Sequence, residues 1–284
     1  MPTLQETNTT RQTTRIAVEN CFLTKSPLMN DIFQKVKSIA DLDKHLILIG
    51  EIGVGKKSLA NTIHRYSRRA NGPFHSFYCI NTNEDEFKEA FWEQVHVEND
   101  HLLLKYNVLE KASNGILYLN KFSELTTAFM LDIINSYIHG CNQIFRYNFA
   151  TSPRLIISIS QDSFQHFMKT EMWNKLLVLL NPVSIMLPPL RERREDIPAF
   201  IQTFIEEARI SEPKWFNLGI SDDAMRECIA FRWPGNVRQL KNAIFQGALL
   251  SQGSQIELHH LPFSMNWQLP YQDELTSKFN HDHS

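Results

Sequence analysis

The stretch Leu46-Ile47-Leu48-Ile49-Gly50-Glu51-Ile52-Gly53-Val54-Gly55-Lys56-Lys57-Ser58 decides how the rest of the chain is read. Four apolar residues closed by Gly50 predict a buried strand, and Leu59, Ile63 and Tyr66 predict a helix directly after the loop. A G-x-x-x-x-G-K loop between strand and helix aims backbone N–H groups at phosphates, with the lysine, here Lys56, bridging them. The glycines let the backbone come close and take φ > 0. The candidate phosphate-binding set is therefore Gly50, Glu51, Ile52, Gly53, Val54, Gly55, Lys56, Lys57 and Ser58. The position after the loop lysine usually holds a Ser or Thr that reaches Mg²⁺, but Lys57 stands there and Ser58 comes one place late.

Outward from this loop, apolar strands alternate with helix-period segments, which predicts a parallel sheet with helices on both faces. Candidate strands are Leu46–Ile49, Phe77–Ile80, Ile116–Leu119, Leu155–Ile159 and Val183–Leu187; candidate helices between them are Ser26–Ala40 and Met130–Ile138. After Pro188-Pro189 only helical segments follow: Ile197–Ala208, Asp222–Ala230 and Val237–Leu250. The expected organisation is a tail over residues 1–20, an α/β nucleotide-binding domain over 21–190, a helical lid over 191–262 and a polar tail over 263–284.

The 284 residues carry 29 basic and 31 acidic side chains, a net charge of −2, which offers no global positive field for nucleic acid. Cys21, Cys79, Cys141 and Cys228 lie far apart without a C-x-x-C pair, a pattern of reduced thiols. No run approaches the roughly 18 apolar residues of a membrane span, and residues 1–15 lack the apolar core of a signal peptide. A cytoplasmic protein is expected. His259-His260 and His281-x-His283 lack the Cys or carboxylate partners of a metal site, so no metal site is assigned.

The chain resembles, over about residues 22–262, the AAA+ central domain of bacterial sigma-54-dependent activators. Ser26-Pro27, the loop at Gly50–Lys57, Ile63-His64 with Ser67 and Pro73-Phe74 are similar to that family's segments. Two longer strings carry the resemblance furthest: Leu187-Pro188-Pro189-Leu190-Arg191-Glu192-Arg193 with Glu195-Asp196-Ile197-Pro198, and Trp233-Pro234-Gly235-Asn236-Val237-Arg238-Gln239-Leu240. The fold the resemblance implies is a P-loop NTPase of AAA+ type, a three-layer α/β body followed by a small all-α lid. It also implies ATP or ADP as ligand and a phosphate-facing role for the lid residue Arg238.

Departures from the family pattern shape the expected function. The family's catalytic Asp and Glu after the third strand become Asn120 and Lys121, while Glu124 matches a later acidic position. Its sensor Thr-Asn becomes Ile159-Ser160, and its two inter-subunit arginines align with Trp173 and Leu179. The sigma-gripping GAFTGA loop has no counterpart between Phe91 and Ala112. Loss of a general base costs about 10² to 10⁴ in rate, and loss of an arginine finger about 10³ to 10⁵. A pseudo-ATPase is expected, with no catalytic residue assigned. Phosphate capture by the loop needs neither group, so ATP or ADP binding is expected to survive. Lys57 and Lys121 either supply charge in place of Mg²⁺ or point to solvent. Residues Ser264–Ser284 are too short for the helix-turn-helix that usually ends the family, so direct DNA binding is not expected. The expected partner is an active homologous AAA+ subunit or another transcription-regulatory protein, with an oligomer in view. The alternatives are a working sigma-54-dependent ATPase and a DNA-binding repressor.

Overall fold

The computed structural model describes residues 24–79, 93–97, 101–105, 107–145 and 151–262. Helix α1 (Pro27–Ala40) starts on a proline, whose missing N–H costs nothing in a first turn. It is followed by β1 (Leu46–Gly50), α2 (Lys56–Tyr66), β2 (Phe74–Tyr78), β3 (Glu93–Val97), β4 (His101–Lys105) and α3 (Asn107–Lys111). Next come β5 (Ile116–Asn120), α4 (Thr127–Phe145), β6 (Arg154–Ser160), α5 (Gln161–Phe167), α6 (Glu171–Leu180) and β7 (Val183–Met186). Five strands form one parallel sheet in the order β2-β5-β6-β1-β7.

Strand residues alternate between two cores, as the period of two requires. Ile47, Ile49, Leu117, Leu119, Leu155 and Ile157 face a cluster closed by α4 and α6. Leu46, Leu48, Ile116, Tyr118 and Ile156 face a second cluster with Met29, Phe33 and Val36 of α1 and Leu59, Ala60 and Ile63 of α2. A sheet covered on both faces explains why β1 and β6 read as nearly continuous apolar runs.

The chain then continues through α7 (Ile197–Ser211), β8 (Gly219–Ile220), α8 (Asp222–Ala230), α9 (Asn236–Leu250) and β9 (Gln255–Ile256). These elements share a separate apolar core that includes Leu190, Ile197, Ile201, Trp233, Leu240 and Ile244. Trp233 is buried and its indole N–H donates to the Cys228 carbonyl at 2.7 Å. Ser221 caps α8 by accepting from the Ala224 N–H. The parallel sheet and the helical region following it match the architecture expected from the sequence.

Several boundaries differ. Strand β2 starts at Phe74 and ends at Tyr78, because its register is set by pairing Phe74 with Ile116 and Tyr78 with Asn120. Its edge position lets polar His75 and Ser76 into the strand, which hid its start. Helix α4 extends beyond Met130–Ile138 at both ends, and β7 stops one residue before Leu187, whose N–H still donates to the Ile49 carbonyl at 2.8 Å. The β3–β4 and β8–β9 pairs are further elements that the sequence reading does not include; β8 and β9, at two residues each, are too short to show a period. The tails at 1–20 and 263–284, Cys21, Ile80, Phe91, His281 and His283 lie outside the described residues.

Candidate functional site

Strand β1 lies between β6 and β7, and its last residue, Gly50, is in register with Ser160 at the end of β6. The loop Gly50–Lys56 leaves the sheet here, with β6 between it and β5, at the carboxyl edge where open parallel sheets bind ligands. Gly53 (φ +76°) and Gly55 (φ +108°) take the left-handed conformation that side chains oppose. Gly55 is the N-cap of α2 and supplies no side chain to cap it. The α2 N-terminus thus meets the loop with main-chain donors, an arrangement suited to anions.

Lys56, expected to bridge phosphates, is folded onto its own loop. Its ammonium donates to the carbonyls of Gly50 at 2.6 Å and Glu51 at 2.9 Å. Burial, followed by the nearby charge of Arg238, lowers its pKa to about 8. Lys57 is exposed, and its ammonium sits 5.5 Å from the centroid of the Tyr78 ring. Ser58 is exposed and borders the same cleft.

At the end of β5, the Asn120 Oδ1 accepts from the Ser158 hydroxyl at 3.0 Å, and the Ser158 oxygen accepts from the Lys121 N–H at 3.0 Å. Lys121 has φ +58°, and its ammonium lies 3.5 Å from the Glu124 carboxylate. At the end of β6, Ser160 caps α5 and its N–H donates to the Ser123 hydroxyl.

The loop is also gripped from the C-terminal helical region. Arg191 holds the Glu51 carboxylate in a two-bond fork, and Asn236 donates to both Glu51 Oε2 and the Ile52 carbonyl at 3.0 Å. The Arg191 bonds hold the Glu51 carboxyl below the usual carboxylate range. Arg193, buried, donates to the Val54 carbonyl at 2.7 Å, and the Arg238 N–H donates to the Gly53 carbonyl at 3.3 Å. The sequence strings containing Arg191, Arg193 and Asn236 signalled this region, but their bonds to the loop span more than a hundred residues and are invisible in spacing.

These elements enclose a cavity of about 370 Å³, with Ile52–Ser58 on one wall, Asn120, Lys121 and Ser158 at the strand ends, and Phe200, Val237 and Arg238 opposite. Met29 and Phe33 of α1 add an apolar end. A polyphosphate fits the main-chain cradle and its surrounding cations. A divalent cation does not fit the donors at the strand ends: Asn120 is committed to Ser158, and Glu124 faces Lys121.

The remaining positions singled out in the sequence lie on α6 and near the C-terminal end. Trp173 is packed edge-on against Phe164 and Phe167 at 5.3 and 5.7 Å between ring centroids, and Leu179 is 44 % exposed. The His259 and His260 rings lie 4.0 Å apart between centroids, tilted by 51°. Among the described residues, no helix is long and apolar enough to cross a membrane.

Comparison with known proteins places this geometry among its relatives. Residues 22–185 match the sigma-54 interaction domain family, and residues 191–278 match the AAA+ ATPase lid domain. The chain is 28 % identical over 245 residues to the Nif-specific regulatory protein of Azotobacter vinelandii, covering 84 % of this chain and 46 % of that protein. It is 29 % identical over 249 residues to the transcriptional regulatory protein FlbD of Caulobacter vibrioides, covering 84 % and 53 %. The chain thus spans about half the length of the curated relatives it matches. Crystal structures of NtrX from Brucella abortus are similar in fold: the ADP complex at TM-score 0.69 and 25 % identity, the ATP complex at 0.64 and 26 %. These alignments cover 86 % and 85 % of this chain and 56 % of each NtrX chain.

Proposed function

The chain belongs to the sigma-54 interaction domain family, and from that premise we propose that it is a nucleotide-binding regulator with a disabled hydrolytic step, acting through contact with homologous AAA+ subunits. The ligand is ATP or ADP, held by the loop Gly50–Lys56 with Lys57, Ser58 and Arg238 at its border. The NtrX complexes with ADP and ATP support the choice of nucleotide.

The observation that carries this reading is the end of β5. Where the family resemblance expects an Asp and a Glu, Asn120 is bonded to Ser158, and Lys121 opposes Glu124. An amide and an ammonium cannot take a proton from an attacking water at neutral pH. The aligned arginine-finger positions carry Trp173, packed among aromatic rings, and Leu179, so a neighbouring subunit gains no transition-state cation from them. A subunit of this kind inserted beside active ones silences its own site and the site it should complete.

Addition to an active homologue at substoichiometric ratio is therefore expected to lower ATPase activity and to give co-elution; unchanged activity without co-elution refutes the reading. The competing reading, a working ATPase, has one feature in its favour: Glu124 borders the cavity. It predicts hydrolysis above background that falls in both Lys56→Ala and Glu124→Gln.

A further inference from the structure

Around the cavity, the balance of charge is opposite to that of the whole chain. Six cationic side chains and two carboxylates border it, whereas the full sequence carries a net charge of −2. A low-dielectric cleft lined mainly by one sign concentrates the field on its contents.

Each carboxylate at the cavity already faces a cation. Glu124 lies 3.5 Å from Lys121, and Glu207 lies 2.6 Å from Lys241. Glu51, behind the loop, is held by Arg191 and Asn236. Mg²⁺ at a nucleotide site is held by one or two carboxylates together with phosphate oxygens. Recruiting one here would expose an uncompensated lysine.

Two lysines reach the phosphate end from different elements. Lys57 lies in the first turn of α2, its ammonium over the Tyr78 ring. Tyr78 is the register partner of Asn120, and Lys121 follows Asn120 directly. Lys57 is thus placed beside the strand pair that ends at Tyr78 and Asn120, just before Lys121, with Lys56 one residue away in sequence. Besides burial, the Lys56 ammonium feels the positive charge of Arg238, the opposing carboxylates of Glu124 and Glu51, and the positive charge of Lys121. A dication entering this group meets repulsion, whereas a polyanion relieves it.

We propose that the cleft captures nucleotide polyphosphate as the metal-free anion, with Lys57 and Lys121 supplying the positive charge that a divalent cation would otherwise bring. This rests on the nucleotide-binding reading above.

The test is isothermal titration calorimetry of the full chain with ATP, in excess EDTA and in excess Mg²⁺, with inorganic tripolyphosphate as a second probe. Binding in EDTA is expected to be at least as tight as in Mg²⁺, and tripolyphosphate is expected to compete. Lys57→Ala and Lys121→Ala should each weaken ATP in EDTA by about tenfold, the low end for losing a charge-assisted contact. Thermal melts of both variants, Lys57 exposed and Lys121 partly buried, establish that they are folded. Binding only with Mg²⁺ overturns the metal-free inference and leaves nucleotide capture standing. No binding in either condition overturns both. Unchanged affinity in the two folded variants removes Lys57 and Lys121 from the site.

Discussion

The carboxylate of Glu51 and the guanidinium of Arg191 meet in a two-bond fork, at 2.9 and 2.6 Å, across 140 residues of sequence. Glu51 lies inside the phosphate-type loop, and Arg191 opens the helical region that follows the sheet. Three further residues from that region bond to the same loop: Arg193 to Val54, Asn236 to Ile52 and Arg238 to Gly53. A change in loop conformation therefore alters hydrogen bonds on the lid side directly.

Asn236 is the residue in this set with most to lose. It is fully buried; its Oδ1 accepts from the Leu190 N–H at 2.8 Å while its amide donates to Glu51 and Ile52. Asn236→Ala strands a buried donor at Leu190 and an acceptor at Ile52, and is expected to destabilise the protein by about 2–3 kcal/mol. It also places alanine at φ +53°, which asparagine tolerates better. Urea unfolding compared with Arg191→Ala measures this: that partly exposed ion pair should cost only about 1 kcal/mol or less. Equal losses would mean that the fork contributes as much as the buried amide to joining the two regions.

The loop glycines should separate conformational strain from contact. At Gly55 a Cβ meets no atom within 4 Å, so Gly55→Ala should cost only the left-handed backbone, about 1–2 kcal/mol. At Gly53 the Cβ would lie 2.3 Å from the Gly235 carbonyl oxygen and 3.1 Å from the Arg238 Cβ, besides the positive φ. Gly53→Ala is expected to cost about 3 kcal/mol or more because backbone must move. Denaturant midpoints that rank the two variants the other way would contradict the packing of loop against lid.

Much of this architecture is legible in the amino-acid sequence. Strand β1, its loop and α2 form one contiguous pattern, and the burial of β1 and β6 on both faces makes their sequences unmistakably apolar. Strand β2 was misplaced because an edge strand needs no such run. The positions of Asn120 and Lys121 could be read from the sequence, but their partners could not: Ser158 comes from the neighbouring strand, and Glu124 from the following turn. Nor could spacing reveal that Lys56 binds the Gly50 and Glu51 carbonyls, since that contact depends on how the loop closes on itself.

His45 should make stability depend on pH. Its Nδ1 accepts from the Leu155 N–H at 3.1 Å, its ring lies edge-on to Tyr137, and burial with nearby Arg154 lowers its pKa to about 4. The folded state therefore keeps it neutral where the unfolded chain protonates it. Its contribution is intact above pH about 6.5 and is lost as pH falls towards 4, by up to about 3 kcal/mol. Urea midpoints measured at pH 7.5 and pH 5 should differ accordingly, and His45→Gln should flatten this part of the profile. A midpoint that rises on acidification through that window would contradict a buried neutral imidazole.

Lys56 gives the last prediction, in which a proton reports the ligand. Its pKa of about 8 in the free protein reflects burial first and the positive charges of Arg238 and Lys121 beyond that, opposed by Glu124 and Glu51. The folded value is below the ordinary lysine value, so this group makes stability rise with pH between about 8 and 10.5 in the absence of ligand. A polyphosphate beside the ammonium reverses the local field and raises the pKa. At pH 8, where roughly half of the free lysine is neutral, binding should take up about half a proton per nucleotide, falling towards zero by pH 6. Calorimetry in buffers of different ionisation enthalpy reads this as a slope in the apparent binding enthalpy. Lys56→Arg, cationic throughout the range, should abolish the slope if it still binds nucleotide. A wild-type enthalpy independent of buffer at pH 8, with nucleotide bound, would mean that the ligand does not reach the Lys56 ammonium and that the cradle lies elsewhere.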